Sequence, residues 1–279
     1  MTRLFIAILI SVCCFSAAHA QIVDVEQSEK FNTDSVLRDF DNRPFFGIYK
    51  DNYFVGGTSI GTKPTSHNSD VKFQVSISQR LTKSVLPFNT YAFLFYSQKC
   101  MWNVFEKSLP MRDFNFNPGL GFTKLLISKN RLVGKLTLMI EHESNGRDKM
   151  YDRSWNKLSF AGNIYLTPNL MIHGKYWLTY IDSKQNKDIL RYNGIYQTGI
   201  QVLSPNQRWV FSATFVKRKG WNLNGNTIVD IGWRIRKKDN QFLMLHYYNG
   251  YGENLLDYNK LHSRLRIGLL IKPRFFSDF

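Results

Sequence analysis

Residues 209–215 read Trp-Val-Phe-Ser-Ala-Thr-Phe, and residues 136–140 read Leu-Thr-Leu-Met-Ile. In both runs one set of alternate positions is apolar and the other is more mixed, as expected for β-strands, whose successive side chains point to opposite faces. Aromatic residues make up 15% of the chain, and no stretch after residue 20 is long and apolar enough for a membrane helix. This pattern is typical of a transmembrane β-barrel, with lipid outside its wall and a polar interior.

Turn residues separate twelve candidate strands. They are predicted at 46–58, 70–83, 90–105, 117–128, 131–145, 154–167, 170–181, 189–204, 207–218, 226–237, 241–251 and 261–272. An even number of antiparallel strands leaves no unpaired edge in hydrocarbon and returns both termini to the periplasmic side. The predicted fold is all-β, a twelve-stranded antiparallel transmembrane β-barrel. A soluble sandwich, or a secreted β-protein with a ligand cavity, is the alternative.

The connections between these strands differ in length. Asn169, Pro205-Asn206 and Asp239-Asn240 supply tight turns on one side. Longer polar connections lie near 106–116, 146–153, 182–188 and 252–260. This asymmetry predicts the short periplasmic turns and long extracellular loops of a bacterial outer-membrane barrel.

The N-terminus has the composition of a signal peptide. Arg3 precedes a mostly apolar run over 4–15, and Ala18-His19-Ala20 fits the pattern for cleavage before Gln21. We predict a signal peptide over 1–20, an N-terminal periplasmic segment over 21–45 and a barrel over 46–279. The mature chain would keep Cys100 alone, so no internal disulfide is expected.

The chain carries 37 basic and 21 acidic residues, a formal net charge of +16. Such a balance predicts an anionic partner, either nucleic acid or lipid headgroups. Basic clusters at 217–219 and 234–238 would suit nucleic acid, but a solvated rim or a barrel lumen explains them equally well. Because the chain is expected to be exported, we predict outer-membrane lipid as its partner and no nucleic acid.

A histidine and a serine stand two apart near the end of the predicted strand 131–145. His142 and Ser144 share a face with Leu138 and Ile140, so both are expected to point toward lipid. Asn156 has the same outward parity on the next strand. A hairpin centred near residue 150 would place Ser144 opposite Asn156 and bring Asn156 diagonally to His142.

These three residue types suit nucleophilic catalysis. A serine hydroxyl needs a base to take its proton, and the base works best when a third group fixes its orientation. Ser144, His142 and Asn156 would fill those roles in that order. The alternative is that His142 and Ser144 are merely polar residues where the wall meets the headgroups.

Around these residues the chain reads His-Glu-Ser-Asn-Gly-Arg at 142–147 and Arg-Ser-Trp-Asn at 153–156. These two motifs resemble the active-site signature of the outer-membrane phospholipase A family. Further matching blocks are Tyr-Ser-Gln at 96–98 with Trp102, Ser-Leu-Pro-Met-Arg-Asp at 108–113, Asn-Phe-Asn-Pro at 115–118 and Gly-Tyr-Gly-Glu-Asn-Leu-Leu-Asp-Tyr-Asn at 250–259. Together they extend in one order from about residue 45 to the C-terminus.

The resemblance implies a twelve-stranded barrel of the Gram-negative outer membrane. Such an enzyme hydrolyses acyl ester bonds of phospholipids and lysophospholipids, with phospholipase A1 and A2 activity, on the lipid-facing exterior of the barrel. It depends on calcium and is a homodimer when active. The resemblance also implies Ser144 as nucleophile, His142 as base and Asn156 as orienting residue, with a backbone amide near Gly146 at the oxyanion.

The resemblance also implies one calcium ion per monomer, completed at the dimer interface. The expected ligands are the backbone carbonyl of Arg147, the side chain of Asp152 and Ser108 of the partner subunit. Asp152 departs from the family, where a serine hydroxyl often stands, but a carboxylate is a good calcium ligand. The region before Ser108 is shorter than in the family. Gln98 matches a glutamine of the family's dimer interface, and a lumen-facing glutamine is the alternative.

Two other functions remain open from the sequence. A lipid A deacylase is also an outer-membrane barrel with a His-x-Ser pair, but it would be smaller and would have an acidic third residue in place of Asn156. A passive pore or adhesin would give His142 and Ser144 no role.

Overall fold

The computed structural model describes residues 33–181, 183–237 and 239–273. The predicted signal peptide and residues 21–32 lie outside these ranges. Helix α1, Thr33–Asp41, precedes the sheet. It is tied to the barrel by Arg80, whose guanidinium donates to the carbonyls of Phe40, Asp41 and Arg43 at 2.5, 2.8 and 2.9 Å. Among the described residues, no helix is long and apolar enough to cross a membrane.

The rest of the described chain is almost entirely antiparallel sheet. Its strands are β1 Phe46–Ile48, β2 Asn52–Ser59, β3 Ser69–Arg80, β4 Thr90–Trp102, β5 Met111–Ser128, β6 Arg131–Ser144, β7 Ser154–Thr167, β8 Leu170–Tyr180, β9 Tyr196–Leu203, β10 Trp209–Lys217, β11 Gly225–Arg234, β12 Gln241–Gly250 and β13 His262–Ile271. Both β1 and β2 pair with β3, so they are two halves of one barrel strand. β13 pairs with β2 and β3 with β4, which closes the ring. The predicted twelve-stranded antiparallel barrel is confirmed.

Several predicted strand boundaries were wrong. The first strand is interrupted at residues 49–51. Directly after the interruption, the side-chain oxygen of Asn52 accepts a hydrogen bond from the backbone N–H of Ser76. β5 begins at Met111, six residues earlier than expected. β9 begins at Tyr196 because the short helix α2, Leu190–Asn193, occupies the start of the predicted strand.

The connections alternate between the two ends of the barrel. One end, called the loop end below, carries the connections 60–68, 103–110, 145–153, 181–195, 218–224 and 251–261. The other end, the terminal end, carries 81–89, 129–130, 168–169, 204–208 and 235–240. The predicted asymmetry is present, with one difference, because the connection 81–89 is as long as 145–153.

Burial alternates along the strands as the pattern of the sequence predicts. In β6 the side chains of Met139 and Glu141 are buried, whereas Leu138 and Ile140 are exposed. The buried set faces the lumen, where Glu141 and other charged groups lie, and the exposed set forms an apolar outer wall. A soluble sandwich or secreted binding protein would not expose such a wall, so those alternatives are wrong.

Loops and side chains fill part of the lumen at the loop end. Residue Glu253, from the connection 251–261, is fully buried and forms ion pairs with Lys72 at 3.3 Å and Arg266 at 2.6 Å. A buried apolar cluster, with two members from the same connection, also lies at the loop end. Its members are Trp155, Trp177, Ile189, Leu255 and Tyr258. Because these groups pack the loop end, the interior is a structured core that retains a polar cavity of about 250 Å³.

Candidate active site

The catalytic candidates lie where β6 and β7 approach the loop end. His142 is directly opposite Asn156 in the register of the two strands. Its Nδ1 donates to Asn156 Oδ1 at 2.8 Å. With the proton fixed on Nδ1, Nε2 is left as an acceptor, which is the state required of a general base toward a hydroxyl.

The register differs from the prediction by two residues. Ser144 is opposite Ser154, not Asn156, and the hairpin is centred on residue 149. Asn145 closes the hairpin, since its N–H donates to the Arg153 carbonyl at 3.0 Å and its side chain binds the Tyr151 carbonyl and the Arg153 N–H at 2.9 and 3.0 Å. The predicted diagonal contact between Asn156 and His142 is therefore a direct cross-strand hydrogen bond.

Ion pairs on the inner face fix this register. Glu143 accepts from Lys157 Nζ at 2.8 Å and from Trp155 Nε1 at 3.0 Å. Glu141 pairs with Lys175 of β8 at 2.6 Å. Both carboxylates next to His142 in sequence thus point into the lumen. Neither carboxylate therefore supplies the acidic third residue that a lipid A deacylase would have in place of Asn156.

Ser144 follows the outward parity of Leu138 and Ile140, and it is opposite Phe116 of β5. Beyond it, Gly146 has a φ of +63°, in the left-handed region. A Cβ atom at this position would lie 3.0 Å from Phe116 Cε2. Glycine is therefore favoured both by the backbone conformation and by the closeness of the ring. This turn begins directly after Ser144, the last residue of β6.

An apolar surface continues from the site along the outer wall toward the terminal end. Its exposed members on β6 to β8 include Leu138, Ile140, Leu158, Phe160 and Leu178. Leu136 has the same parity on β6 and is half-buried. Because the strands alternate, the surface runs without a polar interruption from His142 and Asn156 into the part of the wall that faces hydrocarbon.

The candidate calcium ligands of this subunit lie in the connection 145–153. The guanidinium of Arg147 donates to the Arg112 carbonyl at 2.7 Å and lies 3.8 Å from Asp113. Asp152 is half-buried and accepts from Ser183 Oγ at 2.9 Å. A backbone carbonyl and a carboxylate are the hard oxygen donors that calcium prefers. The residues present therefore fit the expected ion.

Ser108 lies in a different connection, 103–110, with a φ of +67°. A cluster of three or more histidine, cysteine, aspartate or glutamate side chains able to hold a metal is not found in the described ranges. The expected ligand set contains a single carboxylate, a backbone carbonyl and a serine of a second subunit, so one chain would not assemble such a cluster.

Residues far away in sequence frame the connection 145–153, and the sequence pattern assigned none of them a role there. Asn186 is fully buried and pairs with both backbone groups of Ser154, at 3.3 and 3.0 Å. Arg112 makes two hydrogen bonds with Asp257, at 2.9 and 2.8 Å. Burial alone would raise the pKa of Asp257, but the hydrogen bonds from Arg112 and Lys260 outweigh it and hold the pKa below its ordinary value.

Gln98 lies on the outer wall of β4. Its neighbours Ser97 and Lys99 line the lumen cavity, so Gln98 has the opposite orientation. Its Oε1 accepts from the Tyr96 hydroxyl at 2.9 Å, and its Nε2 contacts Cys100 Sγ at 3.5 Å. The lumen-facing alternative for this glutamine is wrong.

Comparison with known proteins gives one consistent family. A family model described as phospholipase A1 matches residues 39–271. The phospholipase A1 of Klebsiella pneumoniae is 26% identical, and the alignment covers 98% of this chain and all of that protein. The phospholipase A1 of Escherichia coli K12 is 28% identical over 75% of this chain and 72% of its own length.

Solved structures of outer-membrane phospholipases are also similar. The Salmonella typhi enzyme, solved as a dimer with bound calcium, is 25% identical with a TM-score of 0.72 over 86% of this chain and 96% of that one. An active-site mutant of Escherichia coli outer membrane phospholipase A, with an asparagine replaced by alanine, is 26% identical with a TM-score of 0.71 over the same shares.

Proposed function

Because this chain belongs to the phospholipase A1 family, we propose that it hydrolyses acyl esters of phospholipids and lysophospholipids by a calcium-dependent Ser-His-Asn mechanism. It is a Gram-negative outer-membrane β-barrel. The hydrogen bond from His142 Nδ1 to Asn156 Oδ1 carries the proposal, because it prepares a base two residues from a serine on a lipid-facing wall. The position of an asparagine in a relative's active site supports the same role for Asn156.

Substrate would reach the site sideways from the outer leaflet. The acyl chains lie along the exposed surface formed by Leu138, Ile140, Leu158 and Phe160, while the ester remains near the headgroups at the level of Ser144. No polar group has to cross hydrocarbon in this arrangement. A lipid that slides along the wall can bring either of its two acyl esters to Ser144.

Hydrolysis proceeds through an acyl-serine. Ser144 Oγ attacks the ester carbonyl while His142 Nε2 takes its proton and then passes it to the departing glycerol oxygen. Asn156 keeps the imidazole in place, and the amide of Gly146 donates to the developing oxyanion. In the second half, His142 Nε2 takes a proton from a water molecule, whose oxygen attacks the acyl-serine carbonyl. The bond from this carbonyl to Ser144 Oγ then breaks, His142 returns the proton to Ser144 Oγ, and the fatty acid leaves. A calcium ion held by the Arg147 carbonyl, Asp152 and Ser108 of the partner subunit would supply positive charge near the oxyanion.

We propose one calcium ion per subunit, held by the Arg147 carbonyl, the Asp152 carboxylate and Ser108 of the partner subunit. The dimer with bound calcium seen for the Salmonella typhi relative supports this arrangement. Since the site would be complete only in a dimer, calcium binding and association are thermodynamically linked. Calcium and dimerisation would then act together as the switch of the enzyme.

The direct test is hydrolysis by the purified protein in detergent. Phosphatidylcholine labelled separately at its two acyl positions, and the corresponding lysophospholipid, would be supplied with calcium and with a chelator. We expect calcium-dependent release of fatty acid from all of them. Absence of release with calcium, from a protein that shows the heat-modifiable mobility of a folded barrel, would reject the proposal.

We expect Asn156→Ala to lower the rate of hydrolysis by about tenfold, because an orienting group contributes less than the nucleophile it serves. Asn156→Asp is the matched variant, since a carboxylate oxygen still accepts from His142 Nδ1, and it should retain more activity. Rates are to be measured at saturating calcium. A loss as large as that of a nucleophile variant, in a folded barrel, would contradict this ranking.

We expect Gln98→Leu to reduce the fraction of calcium-induced dimer. A lipid-exposed amide is costly, and pairing with the equivalent amide across a two-fold axis relieves that cost. Cross-linking in detergent measures the dimer fraction. Gln197→Leu, which changes a glutamine that lines the lumen, is the matched control. Equal dimer fractions for Gln98→Leu and the unaltered protein would remove Gln98 from the interface.

A further inference from the structure

The connection 218–224, between β10 and β11 at the loop end, exposes two large apolar side chains. Trp221 and Leu223 have relative exposures of 106% and 94%, the highest of the large hydrophobic residues in the described part of the chain. Neither belongs to the catalytic surface on β6 to β8. An apolar tip of this kind in a folded protein indicates a surface that a partner covers.

The tip is held in a defined conformation. Lys217 Nζ donates to the carbonyls of Arg218 and Gly220 and to Asn224 Oδ1, the last two at 2.9 and 2.8 Å. The N–H of Arg218 also binds the Asn224 carbonyl at 3.3 Å. The exposure of Trp221 is therefore imposed by the fold of the loop.

The alternation of β10 places this loop beside lipid. Thr214 and Val216 line the lumen cavity, so Phe215 and Lys217 belong to the outer wall. Phe215 covers Gly225 on this wall, since a Cβ atom there would lie 2.1 Å from the ring. The Lys217 side chain is buried beneath the loop that it binds. Because residue 217 has the outward parity of its strand, the loop begins on the lipid-facing side of the wall.

The surroundings of the tip are cationic. Residues 217–224 include two lysines and an arginine and no acidic residue. The Lys219 N–H binds the Leu190 carbonyl at 3.1 Å, which brings the exposed Arg191 of α2 alongside. The nearby acidic residue Asp188 accepts from the Tyr258 hydroxyl at 2.5 Å. Tryptophan at headgroup level, flanked by cations, suits an anionic lipid surface.

We propose that the connection 218–224 is a lipid anchor. Trp221 and Leu223 enter the boundary between headgroups and acyl chains of the outer leaflet, and Lys219 and Arg191 bind anionic headgroups. The anchor lies on the wall of β10 and β11, apart from the catalytic hairpin, and requires no hydrolysis. The cations around the tip complement anionic headgroups, which favours a lipid surface as its partner. A soluble protein would instead bind the tip from the aqueous side.

Tryptophan fluorescence in vesicles tests this proposal. The emission of Trp221 is obtained as the difference between the full chain and Trp221→Phe, both carrying Ser144→Ala so that the lipids stay intact. In phosphatidylcholine vesicles without bromine, we expect this emission at a shorter wavelength than in water and protected from aqueous acrylamide. In vesicles with brominated acyl chains, we expect the emission to be quenched. Trp209, half-exposed on the same wall of β10, gives the positive control through Trp209→Phe. Full quenching by acrylamide without quenching by brominated lipid would overturn the proposal in favour of a soluble partner.

A second measurement tests the headgroup contact. Replacing part of the phosphatidylcholine by phosphatidylglycerol should increase the quenching of Trp221 by brominated lipid, and high salt should cancel the increase. The double variant Lys219→Gln/Arg191→Gln should lose the increase as well. Lys129→Gln, which removes an exposed cation at the terminal end, is the matched control and should keep it. Identical quenching in the two kinds of vesicle would overturn the assignment of Lys219 and Arg191.

Discussion

Replacement of Ser144 by alanine is expected to lower ester hydrolysis by roughly 10⁴-fold or more, while the barrel remains folded. The change removes a single hydroxyl from the outer wall, and the register of β6 and β7 is held instead by Glu143, Lys157 and Asn145. Hydrolysis of phosphatidylcholine in detergent measures the effect, and heat-modifiable mobility reports the fold.

The matched control is Ser128→Ala, which removes an exposed hydroxyl at the terminal end of β5. It should hydrolyse substrate at the unaltered rate. The calcium-induced dimer should still form in Ser144→Ala, because Ser144 is not among the proposed ligands. Substantial residual turnover in a folded Ser144→Ala protein would remove this serine from the mechanism and leave His142 without the partner proposed for it.

The alternation of side chains made the barrel predictable from sequence. The barrel wall is one layer thick, with lipid on one side and charged groups on the other. The polarity of a side chain in β6 therefore indicates which side it faces, as for the apolar Leu138 and the charged Glu141. Strand boundaries were less accurate, because the ends of strands depend on contacts from elsewhere. The helical turn α2 was not predicted, because its residues were included in the strand predicted at 189–204.

The same alternation explains the error in the hairpin of the site. Parity assigns a face to His142, Ser144 and Asn156, and a slip of two residues leaves every face unchanged. The register is decided by groups that parity does not distinguish, namely the inner pair of Glu143 with Lys157 and the closure of the hairpin by Asn145. The identity of the orienting candidate was therefore predictable, whereas its direct position opposite His142 was not.

The frame around the site depends on residues that are distant in sequence. Arg112 and Asp257 are 145 residues apart, and Asn186 reaches Ser154 from a separate connection. Such contacts follow from the closure of the barrel, which brings the loops of different strands together over one opening. No periodic signal marks them. They give the connection 145–153 a defined shape in the single subunit, before any second subunit is added.

Replacement of Asp152 by asparagine is expected to lower the apparent calcium affinity by roughly 10–100-fold, with activity recovered at saturating calcium. Asparagine keeps an oxygen at the position but removes a formal negative charge from the ligand set. It also keeps an acceptor for Ser183 Oγ, so the tether between the two connections is retained. Because the proposed site is shared between subunits, the calcium-dependence of dimerisation should shift in the same direction.

Calcium is to be titrated against ester hydrolysis and against cross-linked dimer in the same preparations. Asp148→Asn is the matched control, because it removes an exposed carboxylate of the same connection that is not a proposed ligand. Ser183→Ala separates loss of the tether from loss of the charge, and should shift the curves less than Asp152→Asn. If the Asp152→Asn curves coincide with those of the unaltered protein, Asp152 is no ligand. An equal shift in Asp148→Asn would instead assign the effect to the general negative charge of the loop. A carboxylate that contacts the ion should matter more than one that only lies nearby.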